Sequence, residues 1–240
     1  MNVKQHIDDI KQRNAKILVD IHSHNPEGKE SIVRLINLRL TDEEMILKEG
    51  AFYSVGIHPW DLQPDCDIKN KLIKLQKLSA RAQVISIGET GLDRYIKEPI
   101  FEQKLAFAFH LEMAKKYNKP LMLHTVRTHS DMLEILKKEE WAKTKIPIIH
   151  HDFKGNKEIV QQYSPYLCFF SYGASLWQQG DHLEVFKTLP IHQIFLETDD
   201  QCEYCLEDIY AKAAELRGIE QQALREHILN NFLRVFAPLN

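Results

Sequence analysis

Eight short apolar runs, each followed by a turn or a helical segment, most constrain how this chain can fold. They lie at 17–24, 32–38, 52–58, 84–89, 121–124, 146–151, 167–171 and 194–199. Runs such as Ile17-Leu18-Val19 and Ile194-Phe195-Leu196 are continuously apolar rather than alternating. That pattern suits strands of a parallel sheet covered on both faces. Between them, Ile68, Leu72, Leu75 and Leu78 fall at helical spacing. Pro99 is placed to start a helix whose buried stripe is expected at Phe101, Leu105, Ala108, Phe109 and Met113, stopped by Asn118 and Pro120. Thr41-Asp42-Glu43-Glu44 reads as a capping box for a further helix. Helical segments are expected near 131–140, 156–163, 180–188, 207–217 and 220–236. Eight strand–helix units in 240 residues predict a (β/α)8 TIM barrel. An open doubly wound sheet would want a glycine-rich phosphate loop after an early strand, and none is present. The reading expects one domain over 1–240, with 1–16 as an N-terminal extension.

Net charge narrows the partners. At −3, no overall cationic field draws the chain to nucleic acid, so such a substrate must be gripped locally. Short or single-stranded ends suit that grip better than long duplex. Met1 to Lys16 lacks the apolar core of a secretory leader, and no apolar run approaches a membrane span of roughly 20 residues. The four cysteines, Cys66, Cys168, Cys202 and Cys205, are too few for a disulfide scaffold. A cytoplasmic location with no membrane partner is therefore expected. Cys202-x-x-Cys205 has no second pair to complete an all-cysteine zinc site.

Twelve histidines are present, and their placement carries more weight than their number. The first strand ends in Asp20-Ile21-His22-Ser23-His24. Alternate strand residues share a face, so Asp20, His22 and His24 line up, the two imidazoles roughly 7 Å apart along the strand. Alone, such a pentapeptide is also a solvated strand end. In a barrel, however, catalytic groups come from the C-terminal ends of several strands. Glu89 ends the fourth run, His124 the fifth, His151 the sixth and Asp199 the eighth. Four imidazoles and two carboxylates exceed the needs of one tetrahedral ion and suit two ions bridged by a carboxylate and a water. The expected division places His22, His24 and Asp199 on one ion, His124 and His151 on the other, and Glu89 between them. Asp199 is the expected acceptor of the attacking water's proton. The mixed N/O donor set favours Zn, Mn, Fe or Co; Mg is less natural with this much imidazole. Asp20 is expected to orient a ligand. His6, His110, His129, His182, His192 and His227 read as surface or packing residues.

Read in order, these segments resemble the TatD-type metal-dependent hydrolases of the amidohydrolase-like barrel superfamily. The carrying motifs are Asp20-Ile-His-Ser-His24, Gly56-Ile-His-Pro59, Ile87-Gly-Glu-Thr-Gly-Leu-Asp93, Pro120-Leu-Met-Leu-His124, His151-Asp-Phe-Lys-Gly155 and Leu196-Glu-Thr-Asp199, with Asn231 to Phe236 closing the series. The resemblance implies a divalent-metal hydrolase, usually a 3′–5′ deoxyribonuclease acting on phosphodiesters, and with the two-ion reading above the expected cofactors are two divalent ions, Zn, Mn or Mg. It implies His22, His24, Glu89, His124, His151 and Asp199 as ligands, with His151 preferred to His150 by its His-x-Phe-x-Gly spacing. Two departures stand out. Arginine follows the fifth strand one place late, as His124-Thr-Val-Arg127, and the usual Ala-Pro-Tyr after the last aspartate is Asp200-Gln-Cys-Glu. Arg127 is either a phosphate clamp or a solvated helix-start residue. His58 is a candidate donor to a phosphate oxygen, or a packing residue. Asp93 either holds a basic clamp or caps its turn.

Two other functions remain open on sequence grounds. The same site could cut an amide, ester or lactone, since an activated water attacks carbonyls equally well. A non-catalytic metal-binding barrel is the third reading. Oligomeric state is left open.

Overall fold

The computed structural model describes residues 3–13, 16–26, 29, 31–40, 47–63, 65–97, 99–200 and 203–237. The expected capping box at Thr41–Glu44, and Cys202, lie outside them. Eight strands form one sheet in sequence order: β1 Leu18–Ser23, β2 Ile32–Arg39, β3 Phe52–Gly56, β4 Val84–Asp93, β5 Leu121–Val126, β6 Ile148–His150, β7 Cys168–Tyr172 and β8 Ile194–Leu196. The described ladders β1–β2, β3–β4, β4–β5, β5–β6 and β7–β8 are all parallel. A parallel bridge from Ser23 to Asp199 returns the end of β8 to β1. With helices in each connection from β3 to β8 among the described residues, this is the expected (β/α)8 barrel. Among the described residues no helix is long and apolar enough to cross a membrane.

The chain divides into two compact units. The first comprises Met1–Ile36, His151–Gln161 and Phe169–Asn240. It carries β1, β7, β8 and the helices α1 Val3–Arg13, α7 Asp181–Thr188, α8 Leu206–Arg217 and α9 Gln221–Phe236. The N-terminal extension is thus largely helical, with Val3 and Ile7 buried one turn apart. Helix α9 buries Leu224, Ile228, Phe232 and Val235 at helical spacing. Its Asn231 donates to the carbonyls of Ile191 and Ile194 at 2.9 and 2.8 Å, anchoring the start of β8. From α8, the buried Tyr210 hydroxyl donates to the Val19 carbonyl and accepts from the Val19 N–H, both at 3.0 Å. These contacts fix β8 and β1, whose ends carry three predicted ligands.

The second unit comprises Asn37–His150 and Gln162–Cys168. Here β3 to β6 pack against α2 Ile68–Ser79, α3 Ile100–Tyr117 and α4 His129–Lys138. A Cβ added at Gly56 would lie 2.3 Å from the Glu89 carbonyl oxygen, so glycine is needed for β3 to approach β4. Strand β4 runs four residues past Glu89 to Asp93.

Helix α3 departs from the expected face. Phe101 and Leu105 are 64% and 57% exposed, and Ala108 is exposed too. The buried side carries Gln103, Ala106, Phe107, His110, Leu111, Met113 and Ala114. Apolar residues occur all round this helix, so periodicity alone could not select a stripe. Hydrogen bonds decide it. The Gln103 amide oxygen accepts from the Asp93 N–H at 2.7 Å, and its NH2 donates to the Asp93 carbonyl at 3.0 Å. His110 Nε2 accepts from the Ile57 N–H at 2.8 Å, so Nδ1 carries the proton and donates to the Ala106 carbonyl at 2.7 Å.

Burial pushes the His110 imidazole down to about 4, from 6.5 in an unfolded chain. Between those values the unfolded chain binds the extra proton. Stability is therefore full above pH 6.5 and is lost as pH falls towards 4, by on the order of 3 kcal/mol. Denaturant melts from pH 4 to 8 should show this loss. His110→Gln should be less stable at pH 8 and lose less on acidification. An identical acid loss in the variant would refute the assignment.

Candidate active site

In the first unit, His22, His24 and Asp199 come together at the ends of β1 and β8. Backbone pairing sets the register: Asp199 N–H donates to the His22 carbonyl at 2.9 Å, and His24 N–H to the Asp199 carbonyl at 3.1 Å. As a result His22 Nε2 and His24 Nε2 lie 3.3 and 3.5 Å from the same oxygen, Asp199 Oδ1. All three ligand atoms fall within 4.8 Å of one another, spacing that one cation can span. Two imidazoles and a carboxylate are a donor set suited to Zn, Mn or Fe. Asp199 adopts a left-handed backbone (φ 55°), which is uncommon for a side-chain-bearing residue and turns its carboxylate out of the strand path. Burial by itself would raise its pKa. Hydrogen bonds from His22 and His24 and the charge of His151 outweigh burial and hold it well below the usual carboxylate range.

His151 joins this unit just past β6, its ring 4.5 Å from that of His22. His150, the neighbour not preferred, packs 4.3 Å from the Tyr163 ring in the second unit. Asp20, in mid-strand, reaches Thr198 and Arg34 rather than an imidazole. It accepts from Thr198 N–H at 2.9 Å, Thr198 Oγ1 at 2.8 Å and Arg34 Nε at 3.0 Å. It therefore positions Asp199 through the preceding residue.

Two supporting residues were not singled out from the sequence. Glu197, fully buried in the first unit, accepts from the Asp152 N–H at 2.8 Å, and the same Oε1 lies 3.5 Å from His151 Nδ1. Its signal was its place two residues before Asp199. Asn37, in the second unit, was visible as an amide inside the apolar run of β2. Its Nδ2 donates to Glu89 Oε2 at 3.0 Å, and its Oδ1 accepts from Glu89 N–H at 3.0 Å and Ser54 Oγ at 3.1 Å.

The second unit brings Glu89, His124, His58 and Asp93 together. Glu89 Oε1 lies 2.9 Å from His124 Nδ1 and 3.2 Å from His58 Nε2. The ligand atoms of His58, Glu89 and His124 also fall within 4.8 Å of one another. The tautomer of His58 argues against three equal ligands. Its Nδ1 accepts from the Trp60 backbone N–H at 3.1 Å, so in the neutral ring Nε2 carries the proton. Burial lowers the His58 pKa, with Glu89 opposing, which favours the neutral ring. His58 is therefore a hydrogen-bond donor through Nε2, leaving Glu89 and His124 as the metal-competent pair.

Asp93 caps its turn: Oδ1 accepts from Tyr95 N–H at 2.7 Å. Its Oδ2 accepts from the Trp60 indole at 2.9 Å and lies 3.2 Å from His124 Nε2. Burial would raise its pKa, but the bonds from His124, Trp60 and Tyr95 bring it to about 2. Arg127 is exposed, its guanidinium 4.0 Å over the Tyr95 ring.

A family model described as TatD related DNase matches residues 6–237. An Escherichia coli K12 protein described as an uncharacterized metal-dependent hydrolase, YcfH, is 24% identical over 204 residues, covering 79% of this chain and 75% of its own. A Buchnera aphidicola (subsp. Acyrthosiphon pisum) protein of the same description, BU355, is 30% identical over 197 residues, covering 79% and 70%. Among solved structures, the E. coli TatD homologue YjjV superposes with a TM-score of 0.76 at 21% identity, covering 92% of this chain and 98% of that one. A TatD family hydrolase of Entamoeba histolytica gives 0.73 at 16% identity, covering 93% and 99%.

Proposed function

The chain belongs to the TatD family of metal-dependent hydrolases, and from that premise we propose that it is a phosphodiesterase trimming nucleic-acid 3′ ends. The observation that carries the reading is the convergence of His22 Nε2 and His24 Nε2 on Asp199 Oδ1. His22, His24 and Asp199 would hold one divalent ion in the first unit, with His151 as a further imidazole beside His22. Glu89 and His124 would hold a second in the second unit, Glu89 being fixed by Asn37. Such ions supply an acidified water and positive charge for the developing oxyanions.

The chain's own groups complete the reaction. Asp199 receives the proton of the attacking water and returns it to the leaving oxygen. His58 donates its Nε2 proton in a hydrogen bond to a phosphate oxygen. Arg127, steadied on the Tyr95 face, offers its guanidinium to a neighbouring phosphate. Trp60, half-exposed beside His58, offers a ring face on which an unpaired base can stack. With a net charge of −3, grip comes from these few contacts, which suits short single-stranded ends. Free thiols at Cys66, Cys168 and Cys205 support a cytoplasmic setting.

Initial rates on 3′-labelled single-stranded DNA, RNA and a nitrophenyl phosphodiester, with Mn or Zn added, test the reading. Turnover of phosphodiesters at rates well above those on matched amides, esters and lactones is expected. Carbonyl substrates cut while phosphodiesters stay intact would overturn it.

A further inference from the structure

A cavity of about 300 Å³ opens beside Asp199 within the first unit. Its charge is unlike that of a phosphate pocket. Beside the ligand Asp199, the acidic side chains Asp152, Glu197 and Glu203 line it, against one cation, Lys154, which is paired with Asp152 Oδ2 at 2.7 Å. One wall is aromatic: Trp177 and Tyr204 stack with centroids 3.8 Å apart and planes 4° from parallel. Tyr204 lies just past the atypical Asp200-Gln-Cys-Glu stretch, and Trp177 comes from the turn after β7.

Two buried acceptors in the lining are unsatisfied. Glu197 is fully buried, yet its Oε2 has no hydrogen-bond partner among the described residues, and neither does the Oγ of Ser175, 1% exposed. A buried carboxylate oxygen without a donor costs free energy that a bound donor would recover. The arrangement is built by close packing. A Cβ at Gly173 would come within 2.7 Å of the Glu197 carbonyl oxygen, so glycine lets the end of β7 close on Glu197.

Anionic phosphate is repelled by such a lining, whereas an N–H donor satisfies both acceptors and gains from the surrounding carboxylates. We infer that this cavity binds an amino group carried by the substrate, on the side of the scissile bond away from the phosphate. Glu197 Oε2 and Ser175 Oγ accept its N–H bonds, and the Trp177–Tyr204 wall covers its apolar part. A carboxylate accepts from an exocyclic base amine in the same way it accepts from an aliphatic ammonium. The inference rests on the hydrolase reading above for where the substrate lies.

Binding, measured without turnover, tests it. The full-length protein is titrated with cytidine against uridine, and with butylamine against butanol, by calorimetry and tryptophan fluorescence. At least one amine should bind about tenfold more tightly than its partner, the value of one hydrogen bond to a charged group. A gain with cytidine alone identifies a base amine, and with butylamine alone an aliphatic ammonium. Glu197→Gln should abolish the preference. Ser175→Ala, remote from His151 in sequence, should reduce it, which guards against misfolding of the first variant. Equal binding within both pairs, or a preference surviving in both folded variants, overturns the inference. Because nothing is hydrolysed, that failure is separate from intact phosphodiesters in the rate assay.

Discussion

Asp199→Asn is expected to lower hydrolysis by about a thousandfold, the scale of losing a positioned acid–base group, while the barrel stays folded. The loss follows from charge. Asp199 Oδ1 is the oxygen on which His22 and His24 both converge, and an amide offers there a neutral, weaker ligand that cannot accept a proton. Folding survives because the contacts that close β8 on β1 at this position are backbone bonds, from Asp199 N–H and to the Asp199 carbonyl. Asparagine also tolerates the left-handed φ of 55° found at this position. Steady-state rates and a thermal melt of the purified variant check both halves. More than a tenth of wild-type activity would remove Asp199 from the chemistry; an unfolded variant would instead make it an architectural residue.

Stripping divalent metal should abolish turnover and lower the melting temperature together. Imidazole and carboxylate ligands gathered at strand ends bind metal only in the folded chain, so the ion stabilises by mass action. At a free concentration one hundred times Kd the gain is about 2.7 kcal/mol. Dialysis against chelator, then back-titration with Mn, Zn or Mg, should restore both properties, and the order of effectiveness identifies the better ion. Because imidazole must be neutral to bind metal, the gain should shrink as the solution is acidified. Activity that persists unchanged after complete stripping would end the metal-dependent reading for this chain. Restored melting without turnover on any phosphodiester, ester or amide would favour the non-catalytic alternative.

Much of the candidate site was legible because strands and barrels impose simple periods. Chemistry at a strand end is visible as an apolar run that finishes in a ligand-type side chain, and β1, β5 and β8 all read this way. Glu89 was visible too, although it lies inside β4 and not at its end. Supporting residues were harder to see. Glu197 and Asn37 act through partners 45 and 52 positions away, and sequence carries no sign of such pairings without the strand register. The buried face of α3 was misread for a related reason: its polar residues Gln103 and His110 are buried by hydrogen bonds to other elements.

By itself, then, the amino-acid sequence determined the barrel class and which side chains are available at its strand ends. Both follow from local periodicity: continuous apolar runs, helical spacing between them, and ligand-type residues at the breaks. Only the tertiary structure decided which way those side chains act. The Trp60 backbone N–H assigns His58 its proton, Thr198 and Arg34 claim Asp20, and Tyr95 and the Trp60 indole claim Asp93. Each is a distance of about 3 Å between residues whose approach is set by strand register and turn geometry, which no single segment encodes.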